Sequence, residues 1–352
     1  MATDLHTAAL PPAAPGPARR GPARLAAGLV ACLAALAGVL VLGVALGARS
    51  VPFDVVVDAL VAYDPGVNDQ VVVRELRVPR TLIGLAAGAA LGLAGAVIQG
   101  VTRNPIADPG LLGVNAGAAL AVVSAITLLG VSTPAGYVWF AFAGAALAAT
   151  LVYGIGAVGR DGATPVRLVL VGAAVTAAAT SLTTMMLLGD IETLDRYRFW
   201  VVGSLVGRDL GTLAAMAPFL AAGAVLALAV GRVLNVIALG DDVARGLGQR
   251  LGAARAAAAL AVVLLCGAAT AVAGPLVFVG LVVPHVARRV TGPDYRWILA
   301  YSAVLGPILL IAADVAGRLI ARPGEIEAGL VAAFLGAPVM IALVRRAGPA
   351  RL

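Results

Sequence analysis

Long apolar runs alternate with short polar segments along most of this chain. From about residue 25 onward, ten such runs are rich in Leu, Val, Ala and Gly, and polar or proline-containing segments separate them. About twenty apolar residues in a helix suffice to cross a hydrocarbon core of ~30 Å. We predict helices at about 25–46, 80–101, 109–130, 136–158, 168–188, 211–231, 256–273, 276–287, 297–315 and 328–344. The pattern therefore predicts an all-α polytopic membrane protein with about ten transmembrane helices.

The same pattern divides the chain into a core and two tails. Residues 1–23 are rich in Ala and Pro and show no periodicity, which predicts a disordered cytoplasmic tail. Residues 24–346 are predicted to form a single transmembrane domain, and residues 347–352 a second cytoplasmic tail. The first apolar run is too long for a cleaved signal peptide, whose apolar region spans about 7–15 residues.

Composition supports the membrane assignment and excludes other classes. The chain is 61% hydrophobic and 12% charged, whereas a soluble domain averages about 25% charged residues. All 25 basic residues are arginine, so the chain has no lysine with which a Walker A loop could hold phosphates. We therefore expect no catalytic residues and no cofactor on this chain. The arginines form no dense basic run, which argues against a nucleic-acid partner.

The distribution of the arginines predicts the orientation. With both termini inside, sixteen arginines fall on cytoplasmic segments and nine on external ones. Cytoplasmic loops of membrane proteins carry the excess of basic residues. The polar stretch 232–255 then becomes the longest cytoplasmic loop, and the segment 103–109 a turn at the cytoplasmic face with no assigned role. Trp200 is expected at a membrane–water interface, where indole rings prefer to lie.

The second predicted helix carries small residues at every fourth position. These residues are Gly84, Gly88, Gly92, Ala96 and Gly100. Residues four apart share one helix face, and small side chains let helix backbones approach closely in lipid. We predict that this face packs against the backbone of another helix.

Few ionisable groups fall within the predicted spans. Asp314 lies four residues before Arg318, which favours an ion pair within one helix over a proton site. His285, Cys32 and Cys266 are isolated, so no metal site is predicted. The fifth helix carries four threonines, which either bond to the preceding turn or line a weakly polar path for a bulky solute. They are Thr176, Thr180, Thr183 and Thr184.

Seven stretches together resemble one family, the FecCD-type permeases, which are membrane subunits of type II ABC importers for ferric siderophores, haem and cobalamin. They read LRVPR (76–80), QGVTRNPIADPGLLGVNAGA (99–118), FWVVGSL (199–205), LNVIALGDDVARGLG (234–248), GPLVFVGLVVPHVAR (274–288), DVAGR (314–318) and GAP (336–338). They occur in the family's order and cover most of the chain beyond the first tail. The chain is thus also similar to the membrane subunit of the vitamin B12 importer.

The resemblance implies an iron–siderophore permease in the bacterial cytoplasmic membrane, with haem or cobalamin as alternative solutes. It implies a cytoplasmic ABC ATPase dimer that binds ATP and Mg, an external substrate-binding protein, and a second permease subunit, identical or not. An ion-coupled secondary carrier is the alternative of another class. That alternative would need an ionisable site within the membrane.

The resemblance also implies roles for particular residues. The loop that couples the permease to its ATPase falls at Gly240, Asp241, Asp242, Ala244, Arg245, Leu247 and Gly248. There Asp241 can cap a short helix, and Gly248 can end it.

The residues that receive acidic groups of the binding protein fall at Arg77, Arg80 and Arg318, with pairing inside the chain as the alternative. One departure from the family pattern is Glu325-Ile326-Glu327, where Glu-Leu-Pro is usual.

Overall fold

The computed structural model describes residues 21–131, 133–156, 158 and 165–347, and all regular structure in these ranges is helical. Most of the predicted first tail, the segment 159–164 and residues 348–352 lie outside the described residues. The α-helices are α1 (Pro22–Ala45), α2 (Phe53–Val61), α3 (Asn68–Val71), α4 (Val78–Thr102), α5 (Val114–Leu129), α6 (Pro134–Gly156), α7 (Pro165–Leu188), α8 (Ile191–Val201), α9 (Leu210–Ala229), α10 (Gly231–Ile237), α11 (Asp241–Gly246), α12 (Leu251–Ala273), α13 (Val279–Thr291), α14 (Tyr295–Ile320) and α15 (Ala328–Ala347). A π-helical segment, Val72–Arg77, precedes α4, and a 3-10 turn, Pro109–Leu112, precedes α5.

A helix occupies each of the ten positions predicted from the apolar runs. Among the described residues, seven helices are long and apolar enough to cross a membrane, namely α1, α4 with its extension from Asn68, α6, α7, α9, α12 and α14. The apolar helices in α5 and α15 are shorter, and α13 has 13 residues. The all-α membrane architecture is therefore confirmed, whereas the count of ten crossings stays a prediction.

The central element is α4, which is buried along most of its length and packs against α12, α13 and α14. A Cβ atom at Gly88 would lie 2.6 Å from the backbone N and Cα of Pro307 in α14. One at Gly92 would overlap the carbonyl oxygen of Ser302. Gly84 and Gly100 instead meet side chains, those of Ile311 and Tyr295 among them. Two of the four predicted packing glycines thus lie directly against another helix backbone.

Because α4 crosses the whole bundle, it defines two opposite ends. Arg80 lies in its first turn, and Arg103 directly follows its last residue. At 1.5 Å per residue, the two ends are ~33 Å apart along the helix axis. We name them the Arg80 end and the Asp241 end, since Arg103 pairs with Asp241.

Two helix boundaries differ from prediction because charged residues are paired. The helix predicted from residue 256 begins at Leu251, so Arg255 is helical; its guanidinium is paired with Asp241. The helix predicted to end at 315 continues to Ile320, because Arg318 finds partners inside the bundle. An apolar pattern misses both boundaries, since it ends wherever a charge appears.

Two further segments differ from the predicted loops. Trp200 is buried in α8, because the polar segment around it folds against the bundle. Its position at a membrane–water interface stays a prediction. The turn after Arg103 does not stay at the end of the bundle either. A Cβ atom at Gly280 would lie 3.0 Å from Pro109 and 3.2 Å from the carbonyl oxygen of Leu91. The turn therefore returns between the helices.

Candidate functional site

At the Asp241 end, α11 forms a compact projection of six residues. Gly240 enters it with φ +107°, and Gly248 leaves it in the left-handed region with φ +77°. The N–H of Gly248 donates to the carbonyl oxygen of Arg245 at 2.9 Å, which closes the helix as predicted for a glycine at this position. Ala244 is buried against the bundle, while the apolar side chains of Val243 and Leu247 are exposed. The projection thus offers apolar and charged groups to a partner.

The carboxylate of Asp241 binds arginines instead of capping α11. The N-cap residue is Gly240, so the predicted capping role of Asp241 is wrong. Arg255 of α12 donates through Nη2 to both oxygens, at 2.8 and 3.0 Å. Arg103 approaches to 3.4 Å and Arg245 to 3.9 Å. One carboxylate therefore joins α11 to the end of α4 and the start of α12.

Asp242 and Arg245 form a second, exposed pair on α11. Nη1 of Arg245 lies 2.9 Å from Oδ1 of Asp242. Both side chains face away from the bundle, in contrast to Asp241, which is partly covered. Of the acidic residues on α11, Asp241 thus holds the helix to the bundle and Asp242 faces outward.

At the Arg80 end, one buried arginine links three segments. The Nε and Nη2 atoms of Arg80 donate to the Asp314 carboxylate of α14 at 2.7–3.0 Å. Its Nη1 donates to Oε2 of Glu325 at 2.6 Å. Nη2 of Arg318 lies 2.8 Å from Asp314, which is the ion pair predicted from their spacing. Fork-shaped contacts of this kind are the strongest that a guanidinium makes.

The other arginines at this end bind the carbonyl end of α1. That helix ends at Leu46 in extended backbone, without a left-handed residue to satisfy its last carbonyl groups. Arg77 donates to the carbonyl oxygens of Val44 and Ala45, and Arg318 donates to those of Gly43 and Leu46. A guanidinium is favourable there because a helix ends in negative partial charge.

The predicted docking arginines Arg77, Arg80 and Arg318 are therefore all buried and all have partners inside the chain. Of the two readings that the sequence left open, pairing within the chain is the one seen here. Nη1 of Arg80 donates to Glu325, whose side chain is partly exposed. Docking of an external protein at these residues stays a prediction.

Three of the four predicted path threonines lie on one groove. This groove, which we call the α7 groove, has a volume of about 930 Å³. Its lining consists of Gly110 from the turn before α5 and, from α7, Val169, Ala173, Thr176, Ala177, Thr180, Ser181, Thr184, Met185 and Leu188. Thr183 is not part of it, because its side chain is buried and its hydroxyl donates to the carbonyl oxygen of Ala179 at 2.8 Å. Threonines of α7 therefore have both of the expected roles, since some line the groove and Thr183 bonds to the preceding turn.

No group of three or more His, Cys, Asp or Glu within the described ranges could hold a metal ion. Cys266 is buried and Cys32 partly buried, and both are free thiols.

Sequence reasoning missed three residues of these sites, namely Arg255, the partner of Asp241; Arg103; and Glu325 as a partner of Arg80. Their partners lie 14, 138 and 245 positions away in the chain, so no local pattern indicates the pairs. A partial signal was present for Arg255, which interrupts an otherwise apolar helix.

These features define a polytopic helical membrane protein with a solute-sized groove and a projection at one end. The chain belongs to the FecCD transport family, whose model matches residues 34–346. It is 46% identical over 306 residues to the ferric enterobactin transport system permease protein FepD of Escherichia coli (strain K12), covering 87% of this chain and 91% of that protein. It is 43% identical over 281 residues to the Fe(3+)-citrate import system permease protein YfmD of Bacillus subtilis (strain 168), covering 80% and 83%.

The fold also matches a solved structure. That chain, described as a metal-chelate type ABC transporter in an inward-facing conformation, superposes with a TM-score of 0.79 at 23% identity, covering 91% of this chain and 99% of its own length. At this identity the likeness establishes the fold.

Proposed function

We propose that this chain is the membrane permease subunit of an ABC importer that moves a ferric siderophore-type chelate into the cell. The α11 projection is the observation that carries the proposal. It is a short, rigid helix with exposed apolar residues, and it is joined by Asp241 to two long helices. A separate ATPase subunit would contact such a projection and transmit its own movement to the two long helices. The absence of lysine from the whole chain supports a separate energy source.

The proposed orientation puts the Asp241 end in the cytoplasm and the Arg80 end outside. Arginine-rich segments at the Asp241 end favour this assignment by the positive-inside rule. The protein would then cross the bacterial cytoplasmic membrane ten times, with both termini inside. ATP and Mg would bind to a dimer of ATPase subunits at α11.

The α7 groove is the proposed part of the translocation path. Its hydroxyl groups and small apolar side chains suit a bulky solute that must pass without strong binding. Apart from Gly110, the lining residues in the described part of the chain all belong to α7, which favours an opposite wall supplied from elsewhere. A second permease subunit, identical or related, would complete this wall. The names of the relatives, which transport ferric enterobactin and ferric citrate, support an iron chelate over haem or cobalamin.

The Arg80 end is the proposed contact surface for an external binding protein. Because Arg77 and Arg318 donate to the end of α1, Nη1 of Arg80 is the atom best placed to donate to a partner's carboxylate. A partner would have to displace Glu325, which is the least buried member of the network.

Reconstitution in liposomes tests the proposal. The complex of permease and ATPase, with its binding protein added outside, should accumulate a radiolabelled ferric siderophore when ATP is enclosed. An ATPase variant without its catalytic lysine is the control and should give no uptake. Uptake by the permease alone under an ion gradient would contradict the proposal and support a secondary carrier. Uptake of haem or cobalamin in place of the iron chelate would overturn the substrate assignment alone.

A further inference from the structure

The contacts of Asp241 connect the surface of the Asp241 end to the helices around the α7 groove. Its carboxylate is held from two sides, by Arg255 on α12 and by Arg103 at the end of α4. These two arginines lead into different parts of the bundle. A shift of α11 would therefore displace both Arg255 on α12 and Arg103 at the end of α4.

The side chain of Arg255 lies along a small apolar hollow. Its side chain is 16% exposed, and its head is fixed by Asp241. The hollow has a volume of about 30 Å³, and it lies where α4, α6, α7 and α12 meet. It is lined by Val97, Ile98, Val101, Ala149, Tyr153, Leu168, Arg255, Ala258, Ala259, Val262 and Val263. Since apolar voids leave neighbouring side chains room to shift, movement of Arg255 can repack Leu168 in the first turn of α7.

Arg103 is connected to the α7 groove through the turn before α5. It adopts a left-handed backbone conformation, with φ +52°, and begins the turn that returns between the helices. Gly110 in this turn lines the α7 groove. A Cβ atom at Gly113, where the turn ends, would lie 3.3 Å from Val175 of α7. The turn that starts at Arg103 thus packs directly on the groove helix.

The strength of these ion pairs suits a movable connection. The side chains of Asp241 and Arg255 are 23% and 16% exposed, so water reaches this pair and can take the place of a partner when the pair lengthens. A fully buried pair would resist such a change, because losing one partner would leave a charge buried and unpaired.

We propose that Asp241 is the residue that transmits movement of α11 to the α7 groove, through Arg255 to the packing of α7 and through Arg103 to the turn before α5. All three are positioning residues, since none of them lines the groove. The inference rests on the proposed function, in which α11 contacts the ATPase.

The test compares substitutions on the two sides of the ion pair in the reconstituted complex. Asp241→Asn and Arg255→Gln should both keep the ATPase bound through a purification, because the exposed apolar residues of α11 are unchanged. Solute imported per ATP hydrolysed should fall roughly fivefold or more in each, the lower limit of typical coupling between sites. The double variant should be no worse than Asp241→Asn alone, because both substitutions remove the same ion pair between Asp241 and Arg255.

A control is present on α2, outside the coupling loop. Asp58→Asn removes the same charge from an exposed side chain of that helix, and it should leave the ratio of import to hydrolysis unchanged. Loss of ATPase binding in Asp241→Asn would make Asp241 an ATPase contact and overturn the transmission role. Normal coupling in both single variants, or losses that add in the double variant, would overturn it as well. Failure of the unmodified chain to retain an ATPase would instead contradict the proposed function.

Discussion

The two ends of α4 carry ion-pair networks of opposite character. At the Arg80 end, the central carboxylate of Asp314 has a side chain only 2% exposed, and two arginines surround it. At the Asp241 end, the central side chain is 23% exposed, and its neighbour Asp242 is fully exposed. Both networks join α4 to elements distant in the chain. They differ in how much water reaches the charges.

This difference assigns different mechanical roles to the two ends. A buried charge that loses its partner is strongly unfavourable, whereas exposed pairs are weak and exchange with water. The Arg80 end is therefore expected to stay fixed, while the Asp241 end can rearrange. In the proposed importer, the end that contacts the ATPase is the one expected to move.

The largest expected effect comes from breaking the buried network. Asp314→Asn keeps the shape of the side chain but leaves Arg80 and Arg318 without their shared charge. We expect a loss of ~3–5 kcal/mol in stability, seen as a lower midpoint of thermal unfolding in detergent. Asp242→Asn is the comparison and should change stability by less than ~0.5 kcal/mol. Equal shifts in the two variants would remove the distinction between the ends.

An intermediate effect is expected from Glu325, whose side chain is 31% exposed. Glu325→Gln weakens its contact with Nη1 of Arg80 and leaves the Asp314 pair intact. If a carboxylate of the binding protein takes this position, its affinity should rise about threefold to tenfold, because a competing charge is gone. Titration of the binding protein onto the reconstituted permease measures the change. A weaker affinity would mean that Glu325 only supports the fold, which would count against docking at Arg80.

The smallest effect is expected at Asp209. It tests whether the burial of a carboxylate, and not the end of the bundle at which it lies, determines how much that carboxylate contributes to stability. Asp209 caps α9 near the Arg80 end, and its side chain accepts bonds from the N–H and hydroxyl of Thr212. These bonds hold the pKa of this exposed carboxyl below its usual 3.8. Asp209→Ala should cost about 1 kcal/mol at neutral pH.

The pH dependence of Asp209 has a definite sign. Since its pKa is lowered by folding, the stabilisation is complete well above pH 3.8 and is lost as the pH falls through the lower folded value. The thermal unfolding midpoints of the unmodified protein and of Asp209→Ala should therefore converge as the pH falls below the folded pKa of Asp209. A gap that stays constant in acid would show that the carboxylate charge is irrelevant to the cap.

The positions of the helices could be predicted because the bilayer leaves few alternatives. Backbone groups in lipid must be bonded within the segment, so an apolar run of sufficient length becomes a helix. The face of α4 with Gly88 and Gly92 was predictable for a related reason, since small residues at this spacing are typical of close helix packing in lipid. These are properties of the local sequence alone.

The candidate sites were less predictable because they depend on partners distant in the chain. Nothing near Arg80 indicates that Asp314 and Glu325 will surround it. The sequence therefore predicted an external role, with pairing inside the chain as the alternative. Thr180 and Thr183 are equivalent in the sequence, and only the packing around α7 separates a groove residue from a buried one. The turn after Arg103 likewise packs between the helices because Gly280 leaves space for Pro109. No local sequence pattern indicates this contact.

The attachment of α1 has a consequence for the order of assembly. Most of this helix faces away from the bundle, and it packs mainly on α14. Its carbonyl end is bound by Arg77 and Arg318, and the carbonyl oxygen of Leu25 at its other end accepts from the hydroxyl of Tyr301. Helix α1 is thus fastened at both ends by residues of α14, a helix that is made much later. Until α14 is inserted, α1 lacks these two attachments and keeps only its smaller contacts, among them those with Arg77 and α4.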